Sequence, residues 1–252
     1  MADRRATRAR QPRARSQHFL RTGRLAAELV RDAGVGADDL AVDLGAGSGR
    51  LTAELARVAR RVVAIELDAH FADRLRGRWP NVEVVCGDAC AVQLPTDPFR
   101  VVANLPFDRT TDLLHRLLDD PLLPLVRADL VVDWRVAWKR GVPWPSTMNG
   151  VVWGAYYELG VARRLVRDAF EPPPAVDAGV LVCRRRRQPL VALELAGPYR
   201  TFVADGFRGG LRSVAPNRLV NRVSRRASAA RDLDPHQWAE LYGALQPSER
   251  SG

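Results

Sequence analysis

Between Leu40 and Val132 short apolar runs alternate with amphipathic stretches of helix length, and this alternation restricts the fold more than any other feature. "LAVDL" (40–44), "RVVAI" (61–65), "VEVV" (82–85), "FRVVA" (99–103) and "ADLVV" (128–132) read as strands. The spacing predicts helices through "RLTAELARVA", over Ala69–Arg78 and over Thr110–Leu118, with another over Gly23–Ala33 ahead of the first strand. Such βαβ units build a parallel sheet covered by helices on both faces. After Val132 the pattern changes. "WKRGVPWPSTMNG" reads as a loop, and "VVWGAYYELGVARRLVRDAF" and "AGVLVCRRRR" read as two strands joined through the proline-rich "EPPPAVD". Together they are expected to close one sheet edge as an antiparallel hairpin, giving seven strands. From about Gln188, "YRTFVADGF", "PNRLVNRVSRRASAA" and "PHQWAELYGAL" read as helices of a small C-terminal unit over 188–245, ahead of a 246–252 tail.

The chain has 252 residues, 46% of them apolar, enough for a substantial core, and no apolar run long enough to span a membrane. Its formal charge of +10 points to a polyanionic partner, nucleic acid before membrane. Lys139 is the only lysine, as a GC-rich genome would produce, but that bias does not explain the excess of base over acid. Cys86, Cys90 and Cys183 have no metal-ligand spacing and are expected to be buried thiols of a reducing cytoplasm. No apolar leader core is visible near the N-terminus. The Arg-rich residues 1–15 read as a flexible arm that contacts phosphates.

The chemistry is concentrated at the strand ends. "VDLGAGSGR" follows the first strand and opens a helix, so Gly45, Gly47 and Gly49 let a ligand lie against free backbone N–H groups. A plain strand-to-helix turn is the simpler explanation of glycines alone. The spacing is G-x-G-x-G, and Arg50 stands where a dinucleotide fingerprint has its third glycine. That suits an adenosyl ligand without phosphate. Asp43 can face a cationic group such as an amino-acid ammonium, and Glu66 ends the second strand where a carboxylate takes both ribose hydroxyls. Asp88 follows the third strand and either accepts from an exocyclic adenine amine or caps a helix.

"DLGAGSG", Glu66, "GDA" and "NLPF", in that order, resemble the class I S-adenosylmethionine-dependent methyltransferases, within them the rRNA adenine N6-methyltransferases and especially the erythromycin-resistance branch. "SQHFL" (16–20) is similar to that family's N-terminal cofactor motif and "FEPPPAVD" (170–177) to its F-x-P-x-P-x-V segment. The likeness runs over roughly residues 10–240. Two departures are Asp177, where many relatives carry Ser, and the proline- and tryptophan-rich 141–149 loop. The resemblance implies a Rossmann-like seven-stranded catalytic domain over 16–187 with a helical RNA-binding domain after it. It implies S-adenosylmethionine as cofactor, held by Gln17, His18 and Leu20, by Asp43, Gly45, Ala46 and Gly47, by Glu66 and Leu67, by Asp88 and Ala89, and by Asn104. Gln17 and His18 would lie near its methionine end. It implies 23S rRNA as partner, no metal, and a monomer in the cytoplasm. Methylating an adenine in the exit-tunnel drug site would block macrolides, lincosamides and type B streptogramins.

"NLPF" (104–107) fits that chemistry. An adenine N6 is a poor nucleophile because its lone pair is delocalised into the ring. The Asn104 side-chain oxygen and the Leu105 carbonyl, aimed at its two hydrogens, would favour a pyramidal nitrogen. Pro106 stiffens the turn and offers no competing N–H, and Phe107 gives the base a face to stack on. A lone Phe is more often core filler, but beside Asn-Leu-Pro at a strand end the stacking role is expected. Phe170 would cover the base from the other side, as the resemblance implies.

Arginines crowd residues 1–15, 184–187 and 200–231 and are expected to form a phosphate-binding surface, with Lys139 and Arg140 the best single candidates. Trp134, Trp138, Trp144 and Trp153 are expected to be packing residues. Three alternatives remain at this stage: a 16S rRNA dimethyltransferase with a related motif, a nucleotide-dependent oxidoreductase, and an inactive RNA-binding protein.

Overall fold

The computed structural model describes residues 18–141 and 147–246; the arm 1–15, Gln17, Trp144 and the tail 247–252 lie outside the described residues. Nine strands are present there: β1 (Phe19–Leu20), β2 (Leu40–Leu44), β3 (Arg61–Glu66), β4 (Val82–Cys86), β5 (Phe99–Asn104), β6 (Leu125–Asp133), β7 (Tyr157–Leu165), β8 (Phe170–Glu171) and β9 (Ala178–Arg185). Seven make one sheet in the order β4-β3-β2-β5-β6-β9-β7. β2 to β6 are mutually parallel, and β9 runs antiparallel between β6 and β7. This is the expected α/β architecture, with the hairpin closing one edge.

The helices are α1 (Gly23–Ala33), α2 (Arg50–Val58), α3 (Ala69–Leu75), α4 (Thr110–Leu118), α5 (Trp134–Gly141), α6 (Met148–Gly154), α7 (Ala196–Gly209), α8 (Leu211–Val214), α9 (Asn217–Val223) and α10 (Pro235–Gly243). All five residues of β2 are buried, as a parallel strand covered on both faces requires. Side chains alternate between the faces. Val42, Phe99, Val101 and Ala103 join the core under α4, α6 and the C-terminal helices, while Ala41, Val62 and Val102 join the one under α1 and α2.

Three expectations differ. "WKRG" (138–141) and "MNG" (148–150) are helix, not loop, closing α5 and opening α6, and "VVWG" (151–154) is helix, not strand: Thr147 caps α6 by accepting from the Gly150 N–H at 3.2 Å, and Trp153 is fully buried. The long helix over 216–230 stops at Val223, where Ser224 turns extended. The third difference is an addition: β1 and β8 pair antiparallel, Phe19 opposite Glu171 and Leu20 opposite Phe170, tying the N-terminal segment to the proline-rich one. Each is only two residues long, too short for a periodic signal.

The helices after Gln188 do not form a separate core. Tyr199, Val203, Trp238 and Leu241 belong to one continuous cluster with Trp153, Tyr157 and the sheet residues. α10 begins with Asp234 and Gln237 capping one another, and Pro235 stands at its first turn.

Candidate active site

The first parallel strand, β2, delivers Asp43 into the interior and then turns through the glycine loop. Gly45 and Ala46 N–H groups both donate to the Ile65 carbonyl, at 2.8 and 3.1 Å, which folds the loop over the end of β3. Gly47 and Gly49 have φ of +52° and +79°, a region that disfavours other residues. A Cβ at Gly47 would also stand 2.7 Å from the Phe19 ring, and one at Gly49 would overlap Leu75.

Glu66 is buried and holds the loop: Oε2 accepts from the Gly47 N–H at 2.7 Å and Oε1 from the Asp68 N–H at 2.8 Å. Each carboxylate oxygen keeps a further lone pair, so the group can still accept from a ligand's hydroxyls. Next to it Leu67 is 48% exposed, an apolar side chain left uncovered at the strand end. Asp88 caps a turn rather than a helix. Its Oδ1 accepts from the Cys90 N–H at 2.9 Å, and its Oδ2 meets Arg109 at 3.4 Å. Ala89 follows in that turn and packs partly against the core.

Asp43 is 1% exposed and accepts from the Thr52 hydroxyl at 2.6 Å. Burial, with Glu66 adding repulsion, pushes its carboxyl up to about 7 despite that hydrogen bond. A carboxylate so placed gains from any cation brought into the cleft. A small cavity of about 20 Å3 opens there, lined among others by Asp43, Gly45, Ala46, Asn104, Phe19 and Leu20.

Asn104 ends β5 opposite Val131 of β6. Its Nδ2 donates to the His18 carbonyl at 2.7 Å, which fixes the amide orientation. The Oδ1 is buried and has no hydrogen-bond partner among the described residues. A buried unpaired carbonyl oxygen costs ~1–3 kcal/mol, and Asn104 is among the residues that line the cavity. Leu105 donates its N–H to the Val131 carbonyl at 3.0 Å and buries its side chain. Pro106 lies across Gly45, and its carbonyl starts the turn into α4 by accepting from the Arg109 N–H at 3.0 Å.

Phe107 is half-buried, its ring centroid 5.7 Å from His18. His18 donates from Nδ1 to the Pro172 carbonyl at 2.8 Å. Phe170 is fully buried and meets Phe107 edge-on, centroids 6.5 Å apart and planes at 75°. The two rings therefore stand edge to face and form no parallel slot, and Phe107 packs against the buried cluster that contains Phe170. The site also contains residues that the sequence reasoning missed. Phe19 stands against Gly47, Thr52 bonds to Asp43, and Arg50 donates to the Leu20 carbonyl at 2.5 Å. Arg50 occupying the third-glycine position was the one available signal.

The donor set suits an adenosyl ligand carrying an ammonium group: the loop admits no side chain at Gly47, the Asp43 carboxyl lines the cavity, and Leu67 leaves an apolar side chain exposed next to Glu66. The sequence pattern of the ribosomal RNA adenine dimethylase family matches residues 10–231. The chain belongs to this family. It is therefore a methyltransferase enzyme acting within the rRNA adenine N6-methyltransferase group. It is 36% identical to an rRNA methyltransferase of Streptomyces thermotolerans, over 94% of this chain and 84% of that one. It is 35% identical to the mycinamicin-resistance protein MyrB of Micromonospora griseorubida, over 80% and 68%. Among solved structures, the 23S rRNA methyltransferase ErmE matches with a TM-score of 0.79 at 27% identity, over 90% of this chain and 99% of that one.

The basic residues divide. Arg185 is half-buried, donating to the Leu125 and Pro121 carbonyls at 2.8 and 3.0 Å and to Leu123, and lying over Tyr157. Arg186 donates to the Gly154 carbonyl at 2.9 Å. Arg140 lies over Trp153, 5.0 Å from the ring centroid, and donates to Thr147. These three hold the fold, whereas Lys139, Arg184 and Arg187 remain exposed. Arg212, Arg218, Arg222, Arg225 and Arg226 are exposed with no ion pair among the described residues. Trp153 packs as expected. Trp138 does not: it is 57% exposed. Of the cysteines only Cys183 is buried, and Cys86 is exposed on the edge strand β4. Among the described residues no group of His, Cys, Asp and Glu could hold a metal ion, and no helix is long and apolar enough to cross a membrane.

Proposed function

We propose that this enzyme transfers a methyl group from S-adenosylmethionine to N6 of an adenine in 23S rRNA, and that the modification confers resistance to macrolides, lincosamides and type B streptogramins. The observation that carries the reading is the Asn104 Oδ1, buried and without a partner among the described residues, on a residue that lines the glycine-loop cavity. The likeness to MyrB and ErmE supports the choice of rRNA and of drug resistance.

When bound, S-adenosylmethionine supplies a methyl carbon made electrophilic by the sulfonium sulfur. Glu66 and the loop would hold the adenosyl half, Leu67 and Asp88 with Ala89 its adenine, and Asp43 with Gln17, His18 and Leu20 the methionine half. Asn104 Oδ1 and the Leu105 carbonyl accept the two N6 hydrogens of the target adenine, so its lone pair turns toward the cleft. Phe107 stacks on the everted base, worth ~1–3 kcal/mol, while Phe170 keeps the Phe107 ring upright. No strong base is required, since the acidified N6 proton leaves to water. In-line positioning is then the main contribution, ~7–11 kcal/mol.

In this reading residues 1–15 form a basic arm, 16–187 the catalytic domain and 188–245 an RNA-binding domain, acting as a monomer in the cytoplasm. Purified 23S and 16S rRNA are methylated side by side with labelled cofactor, and the gene is expressed in a macrolide-sensitive bacterium. Label in 23S rRNA alone and raised resistance are expected. Label in 16S rRNA alone assigns the chain to ribosome biogenesis. Resistance that survives Asn104→Ala assigns it to RNA binding without catalysis.

A further inference from the structure

Trp138 lies in α5, which begins directly beyond the C-terminal end of β6, the sheet edge that carries the active site. Asn104 pairs with Val131 of β6, and Trp134 follows three residues later. With ~4.8 Å between strands, ~3.3 Å per strand residue and ~1.5 Å per helix residue, Trp138 lies within about 20 Å of Asn104 along the backbone. Trp134 is anchored: its N–H donates to the Asp177 carbonyl at 2.9 Å, and Arg164 covers its ring at 5.1 Å. Arg164 in turn bonds Asp177. The FEPPPAVD segment, which backs Phe107 through Phe170, is thereby joined to the first turn of α5.

Trp138 leans on Trp134, ring centroids 5.8 Å apart and planes at 38°, and leaves its outer face in solvent. An indole this exposed contributes little to the core. The charges around it have one sign in excess. Arg135 and Lys139 are exposed on the same helix and Arg167 on the neighbouring segment, and none makes an ion pair among the described residues. The nearby acids are largely used by the protein itself: Asp133 accepts from the Arg135 N–H at 2.7 Å, and Asp177 binds Arg164 and the Arg167 N–H. Asp168 remains exposed. A flat apolar face with unneutralised cations beside it has the chemistry that single-stranded nucleic acid recognises.

We propose that Trp138 is a second stacking platform, holding an unpaired nucleobase of the substrate RNA near the methylated adenine, with Lys139 and Arg135 against the flanking phosphates. The inference rests on the rRNA methyltransferase reading. Its role is positional: Trp138 touches substrate outside the reacting pocket and raises the fraction of collisions that bring the right adenine to Asn104.

Full-length wild type, Trp138→Ala, Trp138→Phe and Lys139→Ala are compared on a 23S hairpin carrying the target adenine, with thermal melting as the folding control. Trp138→Ala is expected to raise the KM for RNA roughly tenfold with little change in kcat, and Trp138→Phe to recover most of it. Lys139→Ala is expected to lower the salt dependence of binding by about one in the log–log slope, and Trp138→Ala to leave it unchanged. Abasic substitution along the hairpin is expected to find one position that weakens wild type but not Trp138→Ala. Wild-type KM in Trp138→Ala, or equal sensitivity of both proteins at every abasic position, overturns the platform. So does a large fall in melting temperature with equal loss of cofactor affinity, which assigns the ring to internal packing. A wild type that methylates no 23S rRNA overturns the parent reading itself.

Discussion

At the scale of single residues the account turns on Asn104 and Asp43. The Asn104 amide has its nitrogen fixed on the His18 carbonyl, so its buried oxygen has one orientation and no partner among the described residues. In the proposed reaction Asn104→Ala removes an acceptor for the N6 hydrogens and is expected to slow methyl transfer by on the order of a hundredfold, with a much smaller effect on melting. Asn104→Asp cannot donate to His18 and is expected to be as inactive. Asp43 makes a prediction about pH. Its folded carboxyl titrates near 7, above the ordinary 3.8, because burial disfavours the charge. A cationic ligand needs the ionised form, so cofactor affinity should fall as pH drops from about 8 to about 6, and Asp43→Asn should bind weakly at every pH. The stability effect has the opposite direction. The folded state binds the extra proton between 3.8 and about 7, so this group's contribution to stability declines as pH rises through that window. Asp43→Asn should therefore melt several degrees higher than wild type near pH 8 and about equally near pH 4, read by calorimetry, and an unchanged melting difference between the two pH values contradicts the assignment.

Among the elements, the long periodic ones were legible in the sequence and the short ones were not. β2 and β5 are buried runs between turn signals, and the Gly-rich loop, Glu66 and "NLPF" sit at strand ends where local rules apply. In α6 the β-branched and aromatic "VVW" predicts strand, and tertiary burial of Trp153 overrides that preference. The β1–β8 pair joins residues about 150 positions apart, which no local pattern reveals, yet it brings Phe19 against Gly47 and Phe170 behind Phe107. Arg140 and Arg185 fall within the expected phosphate-binding surface because a sequence does not distinguish a solvated guanidinium from one lying over a ring or binding carbonyls. Exposure of Trp138 was hidden for the same reason. Arg50 tests the short pair: Arg50→Ala frees the Leu20 carbonyl and is expected to weaken cofactor binding several-fold while melting little changed. Hydrogen exchange at Leu20 and Phe170 should rise in that variant, and unaltered exchange with weaker binding would place the effect of Arg50 elsewhere.

For the whole molecule, the sheet core and the C-terminal helices form one apolar cluster from Leu44 through Trp153 to Trp238. Trp238 packs with Phe202 and Phe207 and donates to the Ala230 carbonyl at 3.1 Å. Trp238→Ala should cost ~3–5 kcal/mol and lower a single melting transition, whereas two separated transitions would show that the helices unfold on their own. The exposed arginines of α8, α9 and the turn after them extend the basic surface beyond the pocket, so RNA binding should weaken steeply with salt. These features matter only if the pocket transfers a methyl group to an adenine amine. The most direct measurement maps labelled methyl groups on 23S rRNA after reaction with wild type and with Asn104→Ala. The account predicts N6-methyladenine at a defined nucleotide with wild type and almost none with the variant at equal RNA binding; label on another atom, or an Asn104→Ala enzyme as fast as wild type, contradicts it.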